Sequence, residues 1–231
     1  MQSIHGSLFL LLAAALLAGN ALADHRPAWQ TSSDYARITD PATLALWGFE
    51  PDGPPVYQLP NHPQPAAAEL EQWRQVLDQR GQPANSGWRN VSPSDFQFEH
   101  DQVQYSLYQP FNSLACSAPA GSTRAVAPIH LANDRRPRFF DGWVHDSSTS
   151  VLHAGLMAAC TDPQSPGQVD YLVLGEVNTD NVTGDTMLSR MMLQGAHHVD
   201  NQHCQYFIRA VFSNCNAGGQ LQLRKARVIW D

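Results

Sequence analysis

The chain has 231 residues, of which 43% are hydrophobic and 15% are charged, and its formal net charge is -7 at pH 7. This balance is typical of a globular protein and excludes a largely disordered one. The acidic charge also argues against general nucleic-acid binding, because neutralising phosphates requires a basic surface.

Residues 1–23 have the pattern of an export signal. Residues 8–18 are apolar throughout, and Ala21-Leu22-Ala23 has the small-x-small pattern of a cleavage site. The apolar run is too short for a transmembrane helix, which needs about 20 residues. We therefore expect a mature chain that begins at Asp24, has no membrane span, and works in the periplasm or outside the cell. An uncleaved signal anchor is the alternative, because residues 1–7 contain no Lys or Arg.

Residues 24–91 are predicted to form a proline-rich arm and one helix that pack on the following domain. Residues 24–65 contain eight of the sixteen prolines, which excludes a long helix or an inner strand there. Apolar residues such as Leu44 and Trp47 would anchor the arm. Residues 65–80 predict the helix, because Pro65 suits its first turn and Gly81 suits its end. Its apolar stripe consists of Leu70, Trp73 and Leu77.

Residues 92–231 are predicted to form a β-rich, disulfide-containing domain, because the apolar pattern changes to a period of two. Residues 187–193 fit either a short helix or a strand, and a bulge is expected around Lys225. Together these patterns predict a mainly β fold, either an antiparallel β-sandwich or a jelly-roll-like domain. The predicted strands are 102–107, 124–132, 138–145, 151–160, 169–177, 205–212 and 221–230.

The four cysteines predict two disulfides, since an even number in an exported chain usually forms bridges. They contain no C-x-x-C pattern, which argues against a zinc site. If residues 205–212 form one strand, Cys204 and Cys215 lie roughly 35 Å apart, too far for a bridge. Cys160 ends one predicted strand and Cys204 begins another, as in antiparallel neighbours, so we predict the pairs Cys160–Cys204 and Cys116–Cys215.

Two polar segments are candidate metal sites. His197, His198 and His203 are of the type that binds zinc or copper, although their spacing matches no strong motif. The oxygen-rich turn that contains Asp180 and Asp185 is a candidate structural calcium site, without the EF-hand spacing. The alternatives are a solvated loop for the histidines and an ordinary turn for the carboxylates.

Four residues are candidates for acid–base catalysis. Glu176 lies near the end of a predicted inner strand, on the face that carries Leu172 and Leu174. A carboxylate in such a position can have a raised pKa in a cleft, and the alternative is an exposed residue at the rim. Asp170 shares the strand parity of Glu176, so both are expected to face one cleft. The complete candidate set is Glu176, Asp170, His145 and His153.

Aromatic and basic residues near predicted turns are candidate ligand contacts. Trp143 and Trp88 could stack on sugar rings, although packing in the core is the usual role of tryptophan. Arg138 belongs to a run of arginines that could bind an anionic group. Only Lys225 among the fourteen basic residues is lysine, a bias that is typical of GC-rich coding and indicates a bacterial source.

Three functions are compatible with these patterns. The first is an exported binding protein for a carbohydrate or other polar polymer, because the layout is similar to that of many carbohydrate-binding modules. The second is an exported glycan hydrolase or lyase, and hydrolysis would need two carboxylates in one cleft. The third is a structural or assembly protein of the envelope that uses its proline-rich arm to bind a partner.

Overall fold

The computed structural model describes residues 34–59, 68, 71, 75, 87–99, 105–108, 113–116, 121–163, 165, 167–192, 197–215 and 220–231, with the backbone alone at 105–108 and 116. The predicted export signal and Asp24 lie outside these residues. Of the predicted helix 65–80, residues 68, 71 and 75 are described and are helical. In the described part of the chain, no helix is long and apolar enough to cross a membrane.

The described elements are mainly strands, which confirms the predicted fold class. A 3-10 turn at Pro93–Asp95 lies between the third and fourth strands. The elements are β1 Ala36–Arg37, α1 Pro41–Trp47, β2 Val56–Gln58, β3 Gly87–Val91, β4 Gln97–Phe98, β5 Tyr105–Tyr108, β6 Ser113–Cys116, β7 Thr123–Pro128, β8 Pro137–Asp146, β9 Leu152–Thr161, β10 Val169–Asn178, β11 Gly184–Met191, β12 Cys204–Phe212 and β13 Leu221–Trp230.

The strands form two sheets that pack as a sandwich. Sheet A has the order β1-β2-β10-β9-β12-β7-β4, and sheet B has the order β11-β8-β13-β6-β5, with β3 also paired to β13. The described pairs are antiparallel, apart from the parallel pair of β2 and β10. The main core lies between the sheets, because alternate residues of each strand point into it. Its fully buried members include Phe140, Leu156, Ile208 and Leu223.

Helix α1 covers the outer face of sheet A. Asp40 caps the helix by accepting a 2.8 Å hydrogen bond from the Thr43 amide, and Gly48 ends it with φ 82°. A second apolar cluster forms beneath the helix, so the described part of the arm packs against this chain's own sheet. Its buried members are Leu44, Trp47, Val56, Met157, Val173 and Val211.

Strand β2 corrects one prediction about the arm. The proline content predicts no inner strand in this segment, yet residues 56–58 pair with β1 on one side and β10 on the other. The three residues contain no proline, so each can donate its amide. Pro55, just before the strand, contributes only its carbonyl, which accepts a 2.9 Å hydrogen bond from Tyr171.

Two finer predictions about the β-rich part are resolved. The ambiguous segment 187–193 is a strand through Met191, because it pairs along the edge of sheet B with β8. The expected bulge is present, and the extra residue between Leu223 and Lys225 is Arg224.

One predicted disulfide is confirmed. Cys160 and Cys204 lie opposite each other on neighbouring strands and form a bridge with an S–S distance of 2.09 Å. A disulfide of this kind is typical of proteins outside the cytoplasm. Cys215 is also disulfide-bonded, but the predicted Cys116–Cys215 pair involves the Cys116 side chain, which lies outside the described residues.

Candidate functional site

The outer face of sheet B carries aromatic and polar side chains close together. On β8 and β13, Phe140, Val144, Ala226 and Val228 belong to the core, so the alternate residues point away from it. We call this surface the outer face of sheet B. Its members are Trp88, Asn90, Phe139, Asp141, Trp143, His145, Asp185, Met187, Ser189, Met191, Lys225, Arg227 and Ile229.

Trp143 lies beneath two cationic side chains at the centre of this face. Lys225 is its direct cross-strand partner, with Nζ 4.5 Å from the ring centroid. The guanidinium carbon of Arg227 lies 5.0 Å from the same centroid. Such cation–π contacts hold an aromatic ring in a defined orientation, so Trp143 is prepositioned on the sheet.

A buried carboxylate holds Arg227 in place. Asp141 has no exposed surface, and its Oδ2 accepts hydrogen bonds from Arg227 Nε at 2.9 Å and Nη2 at 2.6 Å. Ser189 Oγ donates to the other carboxylate oxygen. A carboxylate bonded by two arginine nitrogens restricts the guanidinium, and Arg227 is therefore held in a defined position beside Trp143.

Trp88 is the other tryptophan on this face and is open to solvent. Trp88 lies on β3, opposite Ile229 of β13. Its exposed fraction is 53%, the highest among the large apolar residues in the described part of the chain. Trp143 lies on β8, two strands away from Trp88, and is displaced from it by four residues along the strand direction. With a rise of about 3.4 Å per residue and a strand spacing of about 4.8 Å, the two are roughly 16 Å apart.

Of two further predicted residues, His145 lies on this face and Arg138 does not. His145 Nδ1 lies 2.5 Å from Asp185 Oδ1, and Arg224 lies 3.0 Å from the other oxygen of the same carboxylate. Arg138 alternates along β8 with the residues of the outer face and therefore does not lie on it. Its Nη2 lies 2.5 Å from Asp231 Oδ2. Of the three predicted ligand contacts, the structure therefore brings Trp88 and Trp143 to one face and places Arg138 elsewhere.

The structure corrects the expected relation between Asp170 and Glu176. The β10 register shifts between Val173 and Gly175, so one extra residue reverses the faces of all residues that follow. Asp170 is buried on the core side, while Glu176 lies on the outer face of sheet A, opposite Gly155. The two carboxylates therefore do not share a cleft, and Glu176 does not share the face of Leu172 and Leu174.

Glu176 is instead paired with another predicted residue, His153. Glu176 Oε1 lies 2.7 Å from His153 Nδ1, and the side chains are 15% and 19% exposed. The Trp47 ring packs edge-on against His153, with 6.5 Å between centroids. The pair lies at the margin of the area that α1 covers.

The three histidines of the predicted metal site each have different hydrogen-bond partners. His197 is buried and lies 2.8 Å from the hydroxyls of both Tyr35 and Tyr206. His198 accepts a hydrogen bond from Arg136, and His203 pairs with Asp200 at 2.7 Å. Burial lowers the pKa of His197 to about 4. Within the described residues, no three His, Cys, Asp or Glu side chains converge as a metal site would require.

The predicted calcium turn connects β10 and β11. Its polar groups bond within the turn, as in the 3.2 Å hydrogen bond from the Asp180 amide to Asn178 Oδ1. Asp185 points to the outer face of sheet B, where both of its oxygens pair with His145 and Arg224. Hydrogen bonds from these two side chains hold the pKa of Asp185 below its ordinary value. Both oxygens of the Asp185 carboxylate are thus already engaged by side chains of the protein.

An open groove of about 690 Å³ at the ends of β7 and β12 was not predicted. Its lining includes Tyr206 and Phe207 and four polar side chains, which are Arg89, His130, Asn201 and Gln205. Sequence analysis also did not name Arg227 or give Lys225 a role at a site. The alternation of Lys225 with Arg227 on a predicted strand was the available signal.

No family model matches the chain, and no curated protein matches it. Among solved structures, the chain is similar to the C-terminal CBM6 of LamC, a laminarinase from Zobellia galactanivorans, with 12% identity, a TM-score of 0.37, and coverage of 62% of this chain and 98% of that one. It is also similar to a family 29 carbohydrate-binding module from Piromyces equi, with 12% identity, a TM-score of 0.33, and coverage of 62% and 90%. A third is TmCBM27, described as a carbohydrate-binding module with specific mannan recognition, with 10% identity, a TM-score of 0.37, and coverage of 64% and 99%. TM-scores of this size support no conclusion about function.

Proposed function

We propose that the protein is an exported glycan-binding protein that holds a polar polysaccharide across the outer face of sheet B. One observation carries the proposal: Trp88 and Trp143 lie on the same outer face, with polar side chains between them. A separation of roughly 16 Å, from the strand geometry, suits a short stretch of a polymer better than a single small molecule.

The chemistry of this face suits a sugar polymer. The flat faces of tryptophan pack against the C–H faces of sugar rings, while hydroxyl groups need hydrogen-bonding partners. Asn90 is exposed beside Trp88, and Lys225 lies beside Trp143. Because Arg227 and Asp141 hold each other, binding would order few additional side chains, which favours affinity.

Trp88→Ala and Trp143→Ala are each expected to weaken glycan binding by at least about tenfold, or about 1.4 kcal/mol. Titration calorimetry against a panel of soluble polysaccharides measures this directly. Because Trp88 is 53% exposed, its removal should leave the melting temperature almost unchanged, which serves as the folding control. Wild-type affinity in both variants, or no binding of any glycan, would contradict the proposal.

An enzymatic alternative rests on the Glu176–His153 pair at 2.7 Å. A carboxylate–imidazole pair can take up and release a proton, but two-carboxylate hydrolysis would need a second acid, and Asp170 lies on the opposite side of sheet A.

We expect glycan binding without turnover, measured as new reducing ends or unsaturated products after long incubation with the same polysaccharide panel. Turnover that disappears in Glu176→Gln and persists in the exposed control Glu50→Gln would instead establish an enzyme. Structural calcium is not part of the proposal, because Asp185 is already engaged by His145 and Arg224.

A further inference from the structure

We infer that the outer face of sheet B selects an acidic glycan, a polymer with carboxylate or sulfate groups, and that Lys225 binds its anion. The inference rests on the proposed function and specifies its ligand class. Its starting point is the placement of the single lysine of the chain beside Trp143, at the centre of the proposed binding face.

The charges around Trp143 do not balance. Arg227 pairs with Asp141 at 2.6 Å, and Arg224 pairs with Asp185 at 3.0 Å. Within the described residues, no carboxylate lies within ion-pair distance of Lys225, and its Nζ lies 4.5 Å from the centroid of the Trp143 ring. Among the described residues, the face therefore carries one positive charge without a carboxylate partner, in a protein whose net charge is -7, and such a local field attracts an anion.

The surroundings of Lys225 favour a bound anion further. Partial burial lowers the pKa of Lys225, Arg227 lowers it further, and Asp141 opposes both. The ammonium group is therefore less stable here than in water, and an anion would restore that stability. Its three donors form a compact charge, which suits a single carboxylate or sulfate group on a sugar ring stacked on Trp143.

A glycan fits this site better than a nucleic acid does. Nucleic-acid binding requires several cations along a phosphate backbone, whereas both neighbouring arginines here are paired with carboxylates. In the part of the chain that the structure describes, Lys225 is the cation on this face without a carboxylate partner, and such a site suits a polymer with spaced charges and apolar ring faces.

The test compares polymers that differ only in charge. Polygalacturonate and its methyl ester form one pair, dextran sulfate and dextran form the second, and a single-stranded oligonucleotide serves as a different polyanion. Binding is measured by calorimetry at low and high salt for the wild type, Lys225→Gln, Lys225→Arg and the control Arg37→Gln, an exposed residue at the edge of sheet A.

We expect at least one acidic polymer to bind at least about tenfold more tightly than its neutral counterpart, with an affinity that falls as salt rises. Lys225→Gln should remove most of this preference, while Lys225→Arg retains part of it and Arg37→Gln retains all of it. Unchanged melting temperatures would show that the variants are folded.

Two results would overturn the inference while leaving glycan binding intact: equal affinity for acidic and neutral polymers, or a preference for acidic polymers that persists in Lys225→Gln. Oligonucleotide binding that depends on Lys225 would overturn it in favour of a nucleic-acid site. If no polymer of either charge binds, the proposed function fails together with the inference.

Discussion

Trp47→Ala is expected to lower the free energy of unfolding by about 3–5 kcal/mol, the range for removing a large buried aromatic side chain. Trp47 has no exposed surface and fills the space between α1 and the outer face of sheet A. The alanine variant would leave a cavity that the short helix cannot close. Urea denaturation followed by circular dichroism measures the loss, and Trp47→Phe should recover much of it.

A double-mutant cycle of Trp47→Ala and Gly155→Ala distinguishes direct packing between these two residues from a general loss of stability. A Cβ atom built on Gly155 would lie 2.7 Å from the Trp47 ring, so Gly155→Ala alone should cost about 1–3 kcal/mol by overpacking. In the Trp47→Ala background the added methyl group enters vacated space, and its cost should largely disappear. Strictly additive effects of the two substitutions would show that these residues do not pack as described.

The same variants test which sheet binds the ligand. Trp47 of α1 packs against sheet A, whereas Trp88 belongs to sheet B, so the effects on stability and on affinity should separate. We expect Trp47→Ala to lower stability but, while folded, to bind glycans like the wild type, and we expect the reverse for Trp88→Ala.

Acidification is expected to lower the free energy of unfolding by about 3 kcal/mol through His197 alone. Burial lowers the pKa of His197 from 6.5 to about 4, with a further contribution from His198 and an opposing one from Asp200. At about 1.4 kcal/mol per pKa unit, this shift corresponds to about 3 kcal/mol. Tyr35 and Tyr206 face both ring nitrogens, and a charged imidazolium would disrupt this arrangement.

The sign of the effect follows from linkage. Below pH 6.5 the unfolded chain takes up a proton at His197 that the folded protein does not accept until about pH 4. Stability should therefore fall progressively across this window as the pH decreases. Asp200 contributes at lower pH, because its folded pKa lies below the ordinary 3.8.

Denaturation at several pH values between 7 and 4.5 checks this prediction for the wild type and for His197→Gln. In the plot of the free energy of unfolding against pH, His197→Gln should lose the part of the slope that His197 contributes, whatever the absolute stability of the variant. Should the variant fail to fold, NMR titration of the wild-type imidazole provides the same test. An imidazole that titrates near pH 6.5 would contradict the prediction.

The sequence was sufficient to predict the elements that depend on local patterns. Period-two alternation and continuous apolar runs located β7 to β10, β12 and β13, and the change of apolar phase around Lys225 indicated the bulge at Arg224. Strand geometry also argued against a Cys204–Cys215 bridge, and the placement of Cys160 and Cys204 at the ends of two predicted strands favoured the bridge that the structure contains.

Which side chains share a face was decided by the tertiary structure. The extra residue in β10 placed Glu176 and Asp170 on opposite sides of sheet A, and strand pairing joined β3 to β13 so that Trp88 and Trp143 lie on one surface. Alternation describes a single strand, and one bulge reverses it for every residue that follows. Partners such as Glu176 with His153, or Lys225 with Trp143, depend on long-range register, which local sequence patterns do not contain.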